Sequence, residues 1–356
     1  MHEIVWLYLF DTGNKIEQDE LNKLFNNPED FTSYEYKRPQ PEEIPTITMP
    51  YVFNFKDEVI NIKDKKIELK VQVAFYYFGV YSIRVRYQTE EFSIANIIDM
   101  TFNDEIKKAI EKIVIKSSKK VENQLSKLYK LNPKREKETY RFYFFLTRAK
   151  EFLNENKDFV AGLMIDEKEY KNLDKNYVDA LLNKNIRYSE DSILLAGWES
   201  SVMIDTEPSH EIELILAEVT NAQFLVTRRT NSEINEIIQR VHLDIGSTFQ
   251  NKSSILKRLH FELGSKLYEG HGLLNLMNNI VYGTGEWYLS RVYNLFASAV
   301  NLENEISSLE KNIEYLNEMR TFINEQLAMK REDMLEIIII ILFVVEILVE
   351  TIYLMK

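Results

Sequence analysis

The chain reads as an α+β protein: an N-terminal mixed α/β domain, a helical region, a long coiled-coil-like helix and a C-terminal transmembrane helix. Three observations predict this. Segments of apolar/polar alternation cluster in the first 205 residues, apolar spacings of three and four dominate beyond Pro208, and no glycine or proline occurs from Glu286 to Lys356. The expected boundaries are 1–205 for the α+β domain, with a strand-plus-helix repeat and a break near 132–140. Beyond it are expected a helical domain over 206–285, a heptad helix over 286–333 and a membrane segment over 334–356.

The first strand comes from Ile4–Phe10, an apolar run ended by Asp11, Thr12 and Gly13. No basic region precedes it and no small-residue cleavage site comes after it, so it reads as a buried strand and not a signal peptide. Ile16–Phe25 has helical spacing. Pro39, Pro41, Pro45 and Pro50 mark an irregular loop. Ile67–Val73 and Val80–Tyr87 alternate as half-buried strands do, with Gly79 at the turn between them. From Asn103 to Leu131 the apolar residues return to helical steps, and Asn132-Pro133 stops them. Arg141–Leu146 and Phe159–Ile165 read as strands, Leu173–Leu182 as a short helix, and Asp191–Asp205 as a hairpin turning at Gly197. One helix is expected from His210 to Arg228, and a second from a cap at Asn231-Ser232 towards His242. Gly246, Gly264, Gly270 and Gly272 divide the helical stretch that ends at Gly285.

In the last helix, Leu302, Ile306, Leu309, Ile313, Leu316, Ile323 and Leu327 continue a series of alternating threes and fours that begins at Val292 and reaches Met334. Arg320 and Lys330 occupy two of its slots. The stripe fits a coiled coil between copies, or packing on the helix from His210 or on Tyr268–Tyr282. Beyond it, Ile337–Val345 is an unbroken apolar run, and Glu346 and Glu350 share one helix face. A span of Met334–Met355 is expected, with its glutamates turned to other protomers and with Lys330 and Arg331 flanking it on the cytoplasmic side.

Lys330-Arg331, Leu335-Glu336 and the pair Glu346 and Glu350 together resemble the C-terminal signature of the Required for Meiotic Nuclear Division family, with Ile337 where that family commonly has Trp. Tyr282–Trp287 with Leu289, Val292 and Tyr293 resembles the aromatic turn before that family's last helix, and Gly197-Trp198 resembles part of its strand pair. The resemblance implies membrane association and self-assembly.

Composition excludes several chemistries. The 356 residues contain no cysteine, which removes disulfides, thiolate zinc sites, iron–sulfur clusters and cysteine nucleophiles. The net charge of -12 does not favour nucleic acid, since the basic runs are as short as Lys134-Arg135 and Arg228-Arg229. Abundant Lys, Glu, Ile and Tyr fit a thermophile or an AT-rich genome. His2, His210, His242, His260 and His271 form no metal-ligand spacing, and Gly283-Thr-Gly285 lacks the third glycine of a dinucleotide loop. Asn251-Lys-Ser253 is a glycosylation sequon. No catalytic residue, cofactor or metal is assigned.

The expected function is therefore a non-enzymatic, homo-oligomeric, membrane-anchored scaffold or tether, with membrane lipid and an unknown protein as partners. Two alternatives stand beside it. One is an oligomeric ion or solute pathway lined by Glu346 and Glu350. The other is a metal-dependent hydrolase or nuclease using the carboxylates of Glu199, Asp205 and Glu207.

Overall fold

The computed structural model describes residues 1–13, 15–25, 32–33, 49–62, 65–129, 131, 136–248, 253–282 and 287–354. The first stretch carries β1 (His2–Asp11), α1 (Gln18–Leu24), β2 (Thr32–Ser33), β3 (Tyr51–Asn54), β4 (Glu58–Ile62), β5 (Lys65–Tyr76) and β6 (Val80–Thr89). Then come α2 (Ile94–Phe102), α3 (Asp104–Leu125), β7 (Lys137–Leu146), α4 (Ala149–Met164), α5 (Lys175–Leu182), β8 (Asn185–Ile186), β9 (Ile193–Ala196) and β10 (Ser200–Asp205). Long helices finish the chain: α6 (Glu211–Thr248), α7 (Ser253–Tyr282), α8 (Trp287–Ala299) and α9 (Leu302–Leu354). The chain is α+β, and it divides into two compact units, 1–228 with 276–305 and 229–275 with 306–356.

The first unit is built on one sheet of order β2-β3-β5-β6-β1-β7-β10-β9-β8, with β4 paired to β5 beside it. Strands from both sides of the 132–140 break share it. β1 lies near its middle, antiparallel to β6 and β7, and β10 runs parallel to β7. Both faces of β1 are buried, as a central strand between two helical layers requires. One face presents Ile4 and Trp6 with Ile83, Val85, Tyr143 and Phe145 to the apolar sides of α2, α3 and α4.

Local chemistry explains the element ends. Asn103 caps α3 by accepting the Glu105 N–H at 2.9 Å, and Asp104 and Glu105 sit in the positive first turn. Gly79, at φ 91°, closes the β5–β6 hairpin in a conformation that a side chain would strain.

The other face of the sheet carries charge instead of oil. Arg84, fully buried on β6, donates to Glu218 of α6 from Nη2 at 2.5 Å and to Glu211 from Nη1 at 3.2 Å. Tyr76 donates to the same Glu218 at 2.5 Å. Arg86, two residues along the strand, donates to Glu3 of β1 at 2.8 and 3.0 Å and to Glu211 at 3.0 Å. His210 donates from Nε2 to Glu3 at 2.5 Å, and its ring stacks 4.0 Å above Phe144. Two guanidiniums and three carboxylates thus bind the start of α6 to β1 and β6.

Burial alone would raise the carboxyls of Glu3 and Glu211, but Arg86 and its neighbours together outweigh it at both. His210 assists at Glu3 and Arg84 at Glu211, so both carboxyls lie below their ordinary value. Glu213, further round α6, accepts from Tyr288 at 3.3 Å, and burial raises its carboxyl.

The second unit is helical. Leu309, Ile313, Leu316, Ile323 and Leu327 of α9 are buried within this one chain, and Ile306 is half-buried. Their neighbours are α6 beyond residue 229 and α7. Asn312 donates to Asn231 at 3.1 Å, and Tyr315 bonds His242 at 2.8 Å. At Gly270 of α7 an added Cβ would lie 2.8 Å from the Ile313 side chain, so glycine lets the helices close. Arg320 fills its heptad slot by laying its guanidinium against Gly264, where an added Cβ would stand 3.4 Å from Nε.

Several sequence expectations need correction. Phe159–Ile165 is not a strand: residues 149–164 form α4, whose buried Phe152, Leu153, Val160 and Leu163 keep helical steps. Asn231-Ser232 caps nothing, because α6 runs through it. The last seventy residues are not one helix: Asn301, at φ 55°, breaks α8 from α9. Asparagine tolerates that left-handed conformation, so the break needs no glycine.

The membrane expectation also falls. Among the described residues no helix is long and apolar enough to cross a membrane. The unbroken run Ile337–Val345 spans only ~14 Å, under half of the ~30 Å hydrocarbon core, before Glu346 interrupts it. The transmembrane helix, its membrane localisation and the orientation read from Lys330 and Arg331 are therefore not supported. The loop at 39–48, Asn132-Pro133, Lys134-Arg135, Asn251-Lys252 and the turn at 283–286 lie outside the described residues.

Two measurements test the charged joint. Because Glu3 and Glu211 titrate lower in the folded protein than unfolded, their stabilisation is complete above about pH 4.5 and is lost as pH falls below it. Urea denaturation from neutral pH down to about pH 3 should show that loss, and Glu3→Gln should flatten it. Glu218→Gln takes the nearest carboxylate from the buried Arg84 charge, leaving it the Glu211 pair at 3.2 Å, and should cost about 3–5 kcal/mol, whereas Arg84→Met with Glu218→Leu should recover most of it. A cost near zero for Glu218→Gln would show that the pair does not hold the joint.

Candidate functional site

Two features stand apart from the packed core. The first is a cleft of about 420 Å³ in the first unit, over β1 and β7 where β10 stops short. Trp6 and Tyr8 of β1 face it, and Arg141 of β7 pairs across the ladder with Trp6. Lys107 of α3 closes one side, and Trp198 and Glu199 of the β9–β10 turn close another. Arg141 donates from Nη1 to Asp166 at 2.6 Å, and its Nη2 lies 3.8 Å from Glu199. The Lys107 ammonium is 3.7 Å from Asp166. Asp166 stands just past the end of α4 at φ 54°, a left-handed position that turns the chain towards the cleft.

Burial would weaken the Arg141 charge, but the carboxylates of Asp166 and Glu199 hold the guanidinium ionised. Burial and the nearby Glu111 push the Tyr8 hydroxyl up to about 12, so it stays a donor at neutral pH. Trp198 is 52% exposed at the mouth, edge-on to Phe224. The arrangement can hydrogen-bond a small polar molecule through fixed donors.

The three carboxylates proposed for hydrolysis are not brought together. Glu199 stands before the first residue of β10, while Asp205 ends that strand, roughly 20 Å along it. Asp205 accepts the Glu207 N–H at 3.0 Å, an ordinary turn bond. Among the described residues no group of three or more His, Cys, Asp or Glu could hold a metal ion. Asp166, Lys107 and Tyr8 were not singled out in the sequence. The signal at Asp166 is a helix-end aspartate, hidden by reading α4 as a strand.

The second feature is the end of α9. Lys330 is half-buried, and every residue from Arg331 to Tyr353 is exposed. Those residues include Ile337–Val345, Ile347, Leu348, Val349 and Ile352, with Ile341 55% exposed. Glu346 and Glu350 are exposed and have no ion pair among the described residues. A monomer rarely leaves so much contiguous apolar surface in water. The heptad continues across the point where intrachain cover ends: after Leu327 and Lys330 it falls on Met334, Ile337, Ile341, Val344 and Leu348.

Comparison with known proteins places a family match in the first unit. Residues 1–210 match the family described as "Uncharacterized protein MJ0711, N-terminal domain". The uncharacterized protein MJ0711 of Methanocaldococcus jannaschii is 22% identical over 229 residues, covering 63% of this chain and 69% of that protein. No solved structure matches. The resemblance to the Required for Meiotic Nuclear Division family is overturned, because the family match points elsewhere. That resemblance rested on short motifs in the tail, at Tyr282–Trp287 and at Gly197-Trp198, each a few residues long. With residues 1–210 matched, well over half of its length, the chain belongs to the family of the MJ0711 N-terminal domain.

Proposed function

We propose that this protein is a self-assembling scaffold: copies associate through the end of α9 and carry their α+β units on that assembly. One observation bears most of the weight. The stripe of α9 is covered by its own chain up to Leu327, and the same stripe then runs on uncovered through Leu348. Burying a residue of Ile or Leu size from water contributes about 1.5–3 kcal/mol, so even partial burial of this segment offsets the cost of association. The occupant this reading requires is the same helix of another copy. A like helix offers a matching apolar stripe, and the acidic residues of the tail stay off that stripe. The sheet of the first unit, closed by helices on one face and by the ionic joint on the other, supplies a rigid body to display.

Light scattering after size exclusion tests the reading. The full chain should elute as a multiple of its 42.2 kDa mass, and a chain ending at Lys330 as a single copy with unchanged thermal stability. A monomeric full chain would contradict the proposal, as would a chain that floats with phosphatidylcholine vesicles without self-associating.

A further inference from the structure

The exposed tail also specifies how many copies meet. We infer that the ends of α9 pack as a parallel bundle of at least three copies, with Glu346 and Glu350 on its outer surface. The inference rests on the self-assembly reading above and adds its geometry.

The register is continuous because α9 is one helix from Leu302 to Leu354. Counting on from the buried Leu316, Ile323 and Leu327, the core positions of the tail are Met334, Ile341 and Leu348 in one row, and Ile337, Val344 and Thr351 in the other. The second row corresponds to the d positions, and all three of its residues are β-branched. Two-stranded coils favour leucine there, whereas isoleucine at d, with isoleucine or leucine at a, shifts the preference to three or four strands.

The flanking rows agree. Ile338, Val345 and Ile352 lie on one side of the core stripe, and Ile340 and Ile347 on the other. In a two-helix coil these positions border water and are commonly Glu or Lys. A bundle of three or more buries them against neighbouring helices. The apolar sector is therefore wider than a single two-helix seam covers.

The glutamates fall where this geometry puts water. Glu346 lies five positions after Ile341, and Glu350 two after Leu348, which places both roughly opposite the core stripe at ~100° per residue. Glu332 and Glu336 take the equivalent positions two heptads earlier. Ile339, Phe343 and Tyr353 share those outer rows, and the row beside them carries Leu335, Leu342 and Val349. Identical helices that close around an axis run parallel, so each core residue meets its own counterpart.

The absence of native cysteine makes the register directly readable. Full-length Ile341→Cys and Glu346→Cys are compared under mild oxidation and by light scattering. Both sites are exposed in the single chain, so neither change removes an intrachain contact. The expected result is a mass of three or more chains for both variants, with Ile341→Cys forming the interchain disulfide at least tenfold faster. A two-chain mass would overturn this inference and leave self-assembly standing, whereas a one-chain mass would overturn both. Equal cross-linking at the two sites would overturn the assigned register.

Discussion

The buried contact between Arg84 and Glu218 is the constraint on which the first unit depends. Both side chains are fully buried, and two charges removed from water cost several kcal/mol each unless their geometry repays it. Here it is repaid by a network. Arg86, Glu3, Glu211, His210 and Tyr76 share the bonds, so the first turns of α6 are fixed in register on β1 and β6. An apolar interface could slide by a turn at modest cost. An ionic one cannot, because a shift would leave bare charges in the interior. The joint therefore specifies position more than it adds stability.

That fixed helix leads directly into the second unit, where the logic changes from charge to shape. Glycines at 264 and 270 let α9 approach α7, and the heptad stripe fills the space between helices. The stripe then outlives its partners. The chain covers it where intrachain helices exist and leaves it bare beyond Lys330, and this mismatch between pattern and cover motivates the assembly reading. The cleft beside Arg141 is a separate feature, small and polar, which the assembly reading does not use.

Much of this architecture was legible in the sequence, for reasons that name themselves. β1, β5, β6 and β7 announce themselves by alternation or by unbroken apolar runs, and α3 by its apolar steps. The joint was not legible. Arg84 and Arg86 sit in the polar half of an alternating pattern, which reads as a solvent face until α6 is seen to cover it, and Glu3 stands just before an unbroken apolar run. Their partners on α6 lie 125 or more residues away. α4 was missed because its Phe159–Ile165 end is apolar at every position but one, and so shows no period by itself. The heptad was visible, but whether its occupant lies in the same chain is a tertiary fact. The tail's glutamates were visible too: the membrane reading hid their face from lipid, and the proposed bundle turns it to water.

The central claim is that the tail stripe is covered in the working protein. Amide hydrogen exchange on the full chain addresses it directly. The account predicts that residues 337–348 are protected to a degree comparable with the intrachain-covered residues 309–327, and that this protection falls on dilution. Rapid exchange across 337–348 at every concentration would mean that nothing covers the stripe, and the account would be contradicted.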